Sequence, residues 1–229
     1  MPHPTDIPPR SRLRPLLLDA FCCQGGAAAG YAAAGFDVVG VDISPQPRYP
    51  YRFVQAEAVA FIREHGAEFD FIHASPPCQA YSDAQRLQGN AHPDLIAPTR
   101  VALESTGRPW MIENVGGAAA ELREPVLLCG AMYGLETYRH RFFETSGWTL
   151  TPPAHPAHLV PQAKMGRPIP PGYYGQFVGN FSGVAHARRV LGVPWMNRDG
   201  IRECIPPAYT SWVGTHALAA LRAGQAVAA

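Results

Sequence analysis

Ser75-Pro76-Pro77-Cys78-Gln79 follows a short apolar run, Phe69-Asp70-Phe71-Ile72, and it is the stretch of this chain best suited to covalent chemistry. Two successive prolines fix the backbone and hold the next thiol at the carboxyl end of a strand, where parallel sheets form ligand clefts. A buried structural cysteine is the plain alternative, but a stiff Pro-Pro entry into the polar stretch Gln79 to His92 is a poor place for one. Ile112-Glu113-Asn114-Val115 puts a carboxyl group at the end of another strand on the same edge, and a partly desolvated glutamate there can carry or share a proton. Arg139 and Arg141, two apart in a segment of strand character, point to one face. They suit a phosphate or a flipped base, or else form an ordinary solvated edge.

A second group of residues points to a ligand. Asp19-Ala20-Phe21-Cys22-Cys23-Gln24-Gly25-Gly26 stands where a first strand turns into a first helix, the place where open parallel sheets bind nucleotide-like molecules. Asp42 ends the second strand roughly 20 residues later, where a carboxylate accepts from ribose hydroxyls. Together they suggest an adenosine-bearing cofactor. A tight turn at Gly25-Gly26 and a helix cap at Asp42 are the plainer readings, and the glycine spacing is not the GxGxxG of NAD sites.

These residues need a frame. Leu16-Leu17-Leu18 and Val38-Val39-Gly40-Val41 read as buried strands, followed by Phe69 to Ile72 and Trp110 to Glu113. The intervening stretches Gly26 to Ala34, Ala56 to His65 and Asp94 to Glu104 read as helices. Such alternation predicts an α/β fold with a doubly wound, mainly parallel sheet. Residues 1–14 are a Pro-rich flexible leader, 15–146 the catalytic core, 147–183 a small irregular insertion and 184–229 a segment completing the core. The insertion carries prolines at 152, 153, 156, 161, 168, 170 and 171. Ala185 to Leu191 and Trp212 to Ala223 read as helices.

Composition narrows the class. The chain is 47% hydrophobic and 16% charged, which fits one sizeable core. A net charge of +1 gives no global field for nucleic acid, so any such binding is local. The basic residues do concentrate between Arg139 and Arg202, where Arg188 and Arg189 are candidates to hold phosphates and the acids are only Glu144 and Asp199. Five cysteines without a CxxC pair argue against a disulfide scaffold or a structural zinc site, and no metal is expected. Cys129 and Cys204 read as small buried apolar residues. With no span-length apolar run and no signal-peptide core, a cytoplasmic protein without membrane association is expected.

In consistent order, Phe21 with Gly25-Gly26, Val41-Asp42, Pro76-Pro77-Cys78-Gln79, Glu113-Asn114-Val115, Leu128-Cys129-Gly130 and Arg139-His140-Arg141 resemble the cytosine-C5 DNA methyltransferase family, especially its short phage and actinobacterial members. The resemblance runs from Leu16 to about Phe143 and returns near Ile205. It implies a Rossmann-like class I methyltransferase core with S-adenosylmethionine as methyl donor, duplex DNA as partner, a restriction endonuclease alongside it in the cell, and a monomer. In such an enzyme Cys78 attacks C6 of a flipped cytosine. Glu113 hydrogen-bonds the base, and Arg139 and Arg141 steady the intermediate. Gln79, Ser82 and Asn114 contact substrate, to which the basic concentration adds Arg188 and Arg189 as phosphate contacts. Phe21, Gly25, Gly26, Asp42, Ile43, Glu57 and Pro76 bind the cofactor.

The chain departs from the family at several points. Cys23 stands where a glycine is usual, so the turn must accept a side chain. Thr137 replaces a glutamine, Glu57 an aspartate, and Ile205-Pro206-Pro207-Ala208-Tyr209-Thr210 takes the place of a Gly-Asn-(Ser/Ala)-Val pattern. An RNA cytosine methyltransferase and a degenerate non-catalytic DNA-binding relative are the alternatives. A zinc nucleobase deaminase fails, because Pro77-Cys78 lacks a second cysteine two residues on and His73-Ala74-Ser75 is not His-x-Glu.

Overall fold

The computed structural model describes residues 14–78, 81 and 94–228. The proposed leader, Gln79 and Ser82 therefore lie outside the described residues, apart from Arg14.

Seven strands form one sheet: β1 (Leu16–Ala20), β2 (Asp37–Asp42), β3 (Arg52–Gln55), β4 (Phe71–Ala74), β5 (Trp110–Asn114), β6 (Val126–Leu128) and β7 (Arg141–Ser146). Their spatial order is β3-β2-β1-β4-β5-β7-β6. The first five are parallel, and β7 runs antiparallel to both β5 and β6. The chain thus moves outward from β1 in one direction, returns, and moves outward in the other. The switch between β1 and β4 opens a crevice at their carboxyl ends. Because β7 is reversed, its first residue, Arg141, comes to that same edge.

β1 is buried along its whole length, as a central parallel strand covered on both faces must be. One face carries Leu18, Val39, Ile72 and Ile112 against α2 (Ala58–His65) and α3 (Ile96–Ser105). The other carries Leu17, Val38, Phe71 and Met111 against α1 (Gly26–Ala34) and the long carboxyl-terminal helix α6 (Pro207–Ala228). Each such aliphatic side chain contributes about 1.5–3 kcal/mol by leaving water. α1 and α6 approach closely because Gly30 lacks a side chain: a Cβ there would collide with Thr210 Oγ1 and the Pro207 carbonyl. Thr210 Oγ1 donates to Ala27 O at 2.9 Å across this contact. Gly35 ends α1 with φ 119°.

Arg100 on α3 grips Glu144 on β7 with two hydrogen bonds of 2.7 Å, both side chains nearly excluded from water. Two further helices follow the irregular stretch, α4 (Val184–Leu191) and α5 (Arg198–Glu203). With Phe177 and Phe181 they form a third, separate apolar cluster.

β3, β6 and α5 escape the sequence pattern, β6 being only three residues long. β3 reads Arg-Phe-Val-Gln with one buried residue, as befits an edge strand facing solvent. α5 is too short for periodicity to register, and it is held by Asn197, whose side chain caps Gly200 N at 3.0 Å.

Candidate active site

The carboxyl ends of β2, β1, β4 and β5 and the start of β7 surround a cleft of about 610 Å³. Asp42, Phe21, Pro76, Cys78, Glu113 and Arg141 line it, in that order along the sheet edge. Three strand spacings separate β2 from β5, about 14 Å at roughly 4.8 Å per step. The cleft is therefore long enough for two reacting molecules side by side.

At the β4 end, Pro76 and Pro77 leave the sheet and deliver Cys78 into the cleft. Asn114, buried at the end of β5, donates from Nδ2 to the Pro76 carbonyl at 2.9 Å and so fixes the segment that carries the thiol. The Cys78 carbonyl accepts from Tyr81 N at 3.0 Å. Burial raises the Cys78 thiol above its ordinary value, the Arg141 charge opposes that rise, and the Glu113 charge adds to it.

Glu113 is buried, and desolvation pushes its carboxyl up to about 7 against the opposing pull of Arg141 and Arg139. Arg141 Nε stands 2.8 Å from Glu113 Oε1. That oxygen nonetheless makes no well-directed hydrogen bond, so charge and not alignment ties the pair and the oxygen keeps capacity for a ligand.

Arg139 departs from the expectation that it pairs with Arg141 on one face. It lies before β7 with φ 34°, and its guanidinium is buried. Nε donates to Cys204 O, Nη1 to Phe177 O, and Nη2 to both Ile201 O and Arg202 O, at 2.7–3.1 Å. A guanidinium engaged by four main-chain carbonyls has no free edge for phosphate or base. It fastens the carboxyl-terminal segment to the core.

At the β1–β2 end, Asp42 Oδ2 accepts from Cys23 N and Oδ1 from Ser44 N. Both oxygens are thereby aimed, and each retains a lone pair. Glu57 is the N-cap of α2, accepting from Val59 N and Ala60 N. Phe21 adopts φ 61° and faces the cleft, as do Ile43, Gly26 and Glu57. Gly25 does not line the cleft: with φ 79° it starts α1 beneath the Tyr49 ring, where a Cβ would meet Tyr49 Cδ2 at 2.9 Å. Gly26 is required by packing, since a Cβ would press on Ile205 O and Cys204 Sγ. That contact brings Ile205 to the cleft wall.

Some lining residues escaped the sequence reading, among them Met196 and Glu203, which reach the cleft from the far side. Asp19, wholly buried at the end of β1, lines it too. Glu203 explains how the turn tolerates Cys23, which has φ 45°: Cys23 Sγ donates to Glu203 Oε2 at 2.8 Å. No local signal could have linked residues 180 apart.

Arg188 and Arg189, in the last turn of α4, stand apart from the cleft. Arg188 Nε donates to Met196 O at 2.6 Å, while Arg189 is exposed on its own helix. A second hollow, of about 660 Å³, lies beside them between Pro168–Tyr174 and His186. Among the described residues no helix is long and apolar enough to cross a membrane.

Among the solved structures that resemble this one are three methyltransferases. The Dnmt2 methyltransferase of S. pombe aligns over 58% of this chain and 50% of its own at 15% identity, with a TM-score of 0.42. The SAM-dependent methyltransferase from Agrobacterium tumefaciens aligns over 59% and 56% at 15% identity and 0.38. The 1,6-didemethyltoxoflavin-N1-methyltransferase of Burkholderia thailandensis, solved with 1,6-didemethyltoxoflavin and S-adenosylhomocysteine bound, aligns over 58% and 70% at 17% identity and 0.37. The present chain spans about half the length of the first two. No protein-family model and no curated protein matches it.

Proposed function

We propose that the protein is an S-adenosylmethionine-dependent DNA (cytosine-5-)-methyltransferase with Cys78 as nucleophile. The observation that carries this reading is the meeting of Cys78, Glu113 and Arg141 with Phe21, Asp42 and Glu57 in one cleft.

The β1–β2 end suits S-adenosylmethionine. Asp42 offers aimed carboxylate oxygens to ribose hydroxyls, Phe21 and Ile43 offer apolar faces to adenine, and Glu57 offers an acceptor beyond them. When bound there the cofactor supplies an electrophilic methyl group.

The other end suits a cytosine taken out of its duplex. The Cys78 thiolate adds to C6, forming a carbon–sulfur bond, and the C5–C6 π pair shifts toward C5 in conjugation with N3. Glu113, near half-protonated at neutral pH, donates to N3 as negative charge gathers there. Arg141 keeps that carboxyl from drifting further up and opposes the burial that raises the Cys78 thiol. After C5 is methylated, loss of its proton to a base, expulsion of the Cys78 sulfur and return of the N3 proton to Glu113 restore the neutral aromatic ring, the free thiolate and the protonated carboxyl.

Incubating the protein with S-adenosylmethionine and duplex DNA carrying 5-fluorocytosine tests this, because fluorine cannot leave as a proton and traps the enzyme. A denaturant-resistant adduct on DNA, absent in Cys78→Ala, is expected. An adduct only on 5-fluorocytosine RNA would move the substrate to RNA, and no adduct on either would remove the covalent reading.

A further inference from the structure

Cys129, His140, His155 and His158 converge on one point outside the cleft, although they come from three places in the sequence. Cys129 follows β6, His140 precedes β7, and His155 and His158 belong to the Pro-rich stretch. One ligating atom from each lies within 4.8 Å of all the others. We propose that these four side chains form a zinc site that staples the irregular insertion to the catalytic sheet, against the expectation from cysteine spacing that the chain holds no metal.

The donor set is that of a closed structural site. One thiolate and three imidazoles make four ligands of the type zinc prefers, and tetrahedral bonds of roughly 2.0–2.3 Å require ligand atoms to stand within a few ångströms of each other. Cys129 Sγ is already 3.3 Å from His158 Nε2. The imidazoles surround the same point, with ring centroids 4.9–5.6 Å apart in all three pairings.

The surroundings hold these groups in place. Cys129 is fully buried, with the N–H groups of Ala131 and Met132 turned to its sulfur. His158 stacks on Tyr138 at 3.6 Å, and the Tyr138 hydroxyl donates to Val160 O and accepts from Val160 N, which anchors the loop carrying His158. A thiol–imidazole nucleophile would need only one histidine and an accessible sulfur, whereas here three rings converge over a sulfur that water does not reach.

A staple has a clear purpose at this position. The 147–183 stretch has no helix of its own and a single isolated bridge, Gln162 to Tyr174. His140 lies between Arg139 and Arg141, so a metal bound there also secures the backbone that aims Arg141 into the cleft.

The test needs no methyl transfer, so its outcome is independent of the function proposed above. Protein carrying no polyhistidine tag is purified and its metal content measured. The metal-stripped protein is then titrated with Co²⁺, whose spectrum reports tetrahedral geometry and a sulfur-to-cobalt charge-transfer band. One zinc per chain is expected, with a tetrahedral cobalt spectrum whose charge-transfer band disappears in Cys129→Ser. His155→Asn and His158→Asn change exposed side chains and leave the core intact. Each should weaken zinc binding by more than about 100-fold, since losing even a group that only hydrogen-bonds a ligand commonly costs 10- to 100-fold. Zinc absent from the purified protein with no tetrahedral cobalt spectrum overturns the proposal. So does zinc retained equally by both histidine variants.

Discussion

Arg141 Nε lies 2.8 Å from Glu113 Oε1, a contact between the first residue of an antiparallel strand and the fourth residue of its parallel neighbour. Only the reversal of β7 brings these two to the same end of the sheet. Their proximity sets the charge of the cleft, since burial drives Glu113 toward neutrality while Arg141 holds it near the midpoint at physiological pH. Arg141→Ala should therefore raise the Glu113 carboxyl further, moving the alkaline limb of the pH–activity profile upward while lowering the rate. An unshifted limb would detach Glu113 from the profile.

Glu113 also makes stability depend on pH. Its carboxyl moves from 4.5 to about 7 on folding, so between those values the native state holds a proton that the unfolded chain has released. Stability must fall as pH rises through this window, by on the order of 3 kcal/mol in total. His73, buried and lowered to about 3, acts in the opposite sense in any variant that retains it. Comparing Glu113→Gln with wild type by urea unfolding at pH 5 and pH 7.5 isolates the carboxyl. The variant's advantage should grow with pH, and parallel behaviour would contradict the burial argument.

The two arginines of the Arg-His-Arg segment should separate cleanly. Arg139→Lys keeps the charge but cannot serve four carbonyls, so a loss of about 2–4 kcal/mol in unfolding free energy is expected from the unpaired buried groups. Arg141→Lys should cost little stability and much activity. Denaturation curves and initial rates measured on both variants decide, and equal stabilities would deny Arg139 its positioning role.

At the other end of the cleft, Asp42→Ala should weaken S-adenosylmethionine binding by about 1–3 kcal/mol, the range for leaving partly buried polar partners unpaired. Cys78→Ser should leave that affinity nearly unchanged and abolish methyl transfer. Calorimetry on both variants gives the contrast, and an Asp42→Ala protein with wild-type affinity would exclude the carboxylate from the ribose site.

Duplex binding is expected to be local. Replacing Arg188 and Arg189 by alanine should weaken binding to all duplexes alike and flatten the log–log salt dependence by about 0.9 for each lost phosphate contact. Arg189, fully on the surface, should carry more of this than Arg188, which is already bonded to Met196 O. Changes within residues 164–176 should instead alter which cytosines are modified. A salt slope indifferent to both arginines would place the DNA elsewhere.

Much of this architecture is written in short stretches. Apolar runs followed by glycine-bearing turns are enough for a parallel α/β sheet, because a strand buried on both faces has no polar positions to spare. Pro76-Pro77 stiffens the backbone from which Cys78 emerges, and Glu113 lies next to the end of its strand, as the pattern says it must. Such features depend on neighbours in the chain. What lay out of reach depends on residues brought together by packing. Arg139 looks like the twin of Arg141 until four carbonyls from Phe177, Ile201, Arg202 and Cys204 close around it. Cys23 fits a strained turn because Glu203 arrives to accept a hydrogen bond from its thiol. Cys129 reads as an inert core residue because its histidine companions lie up to 29 positions away, and only the docking of the Pro-rich stretch gathers them. Local stiffness and periodicity act over a few residues. Charge pairing, capping of distant carbonyls and convergence of ligands act through space, and only the folded chain decides them.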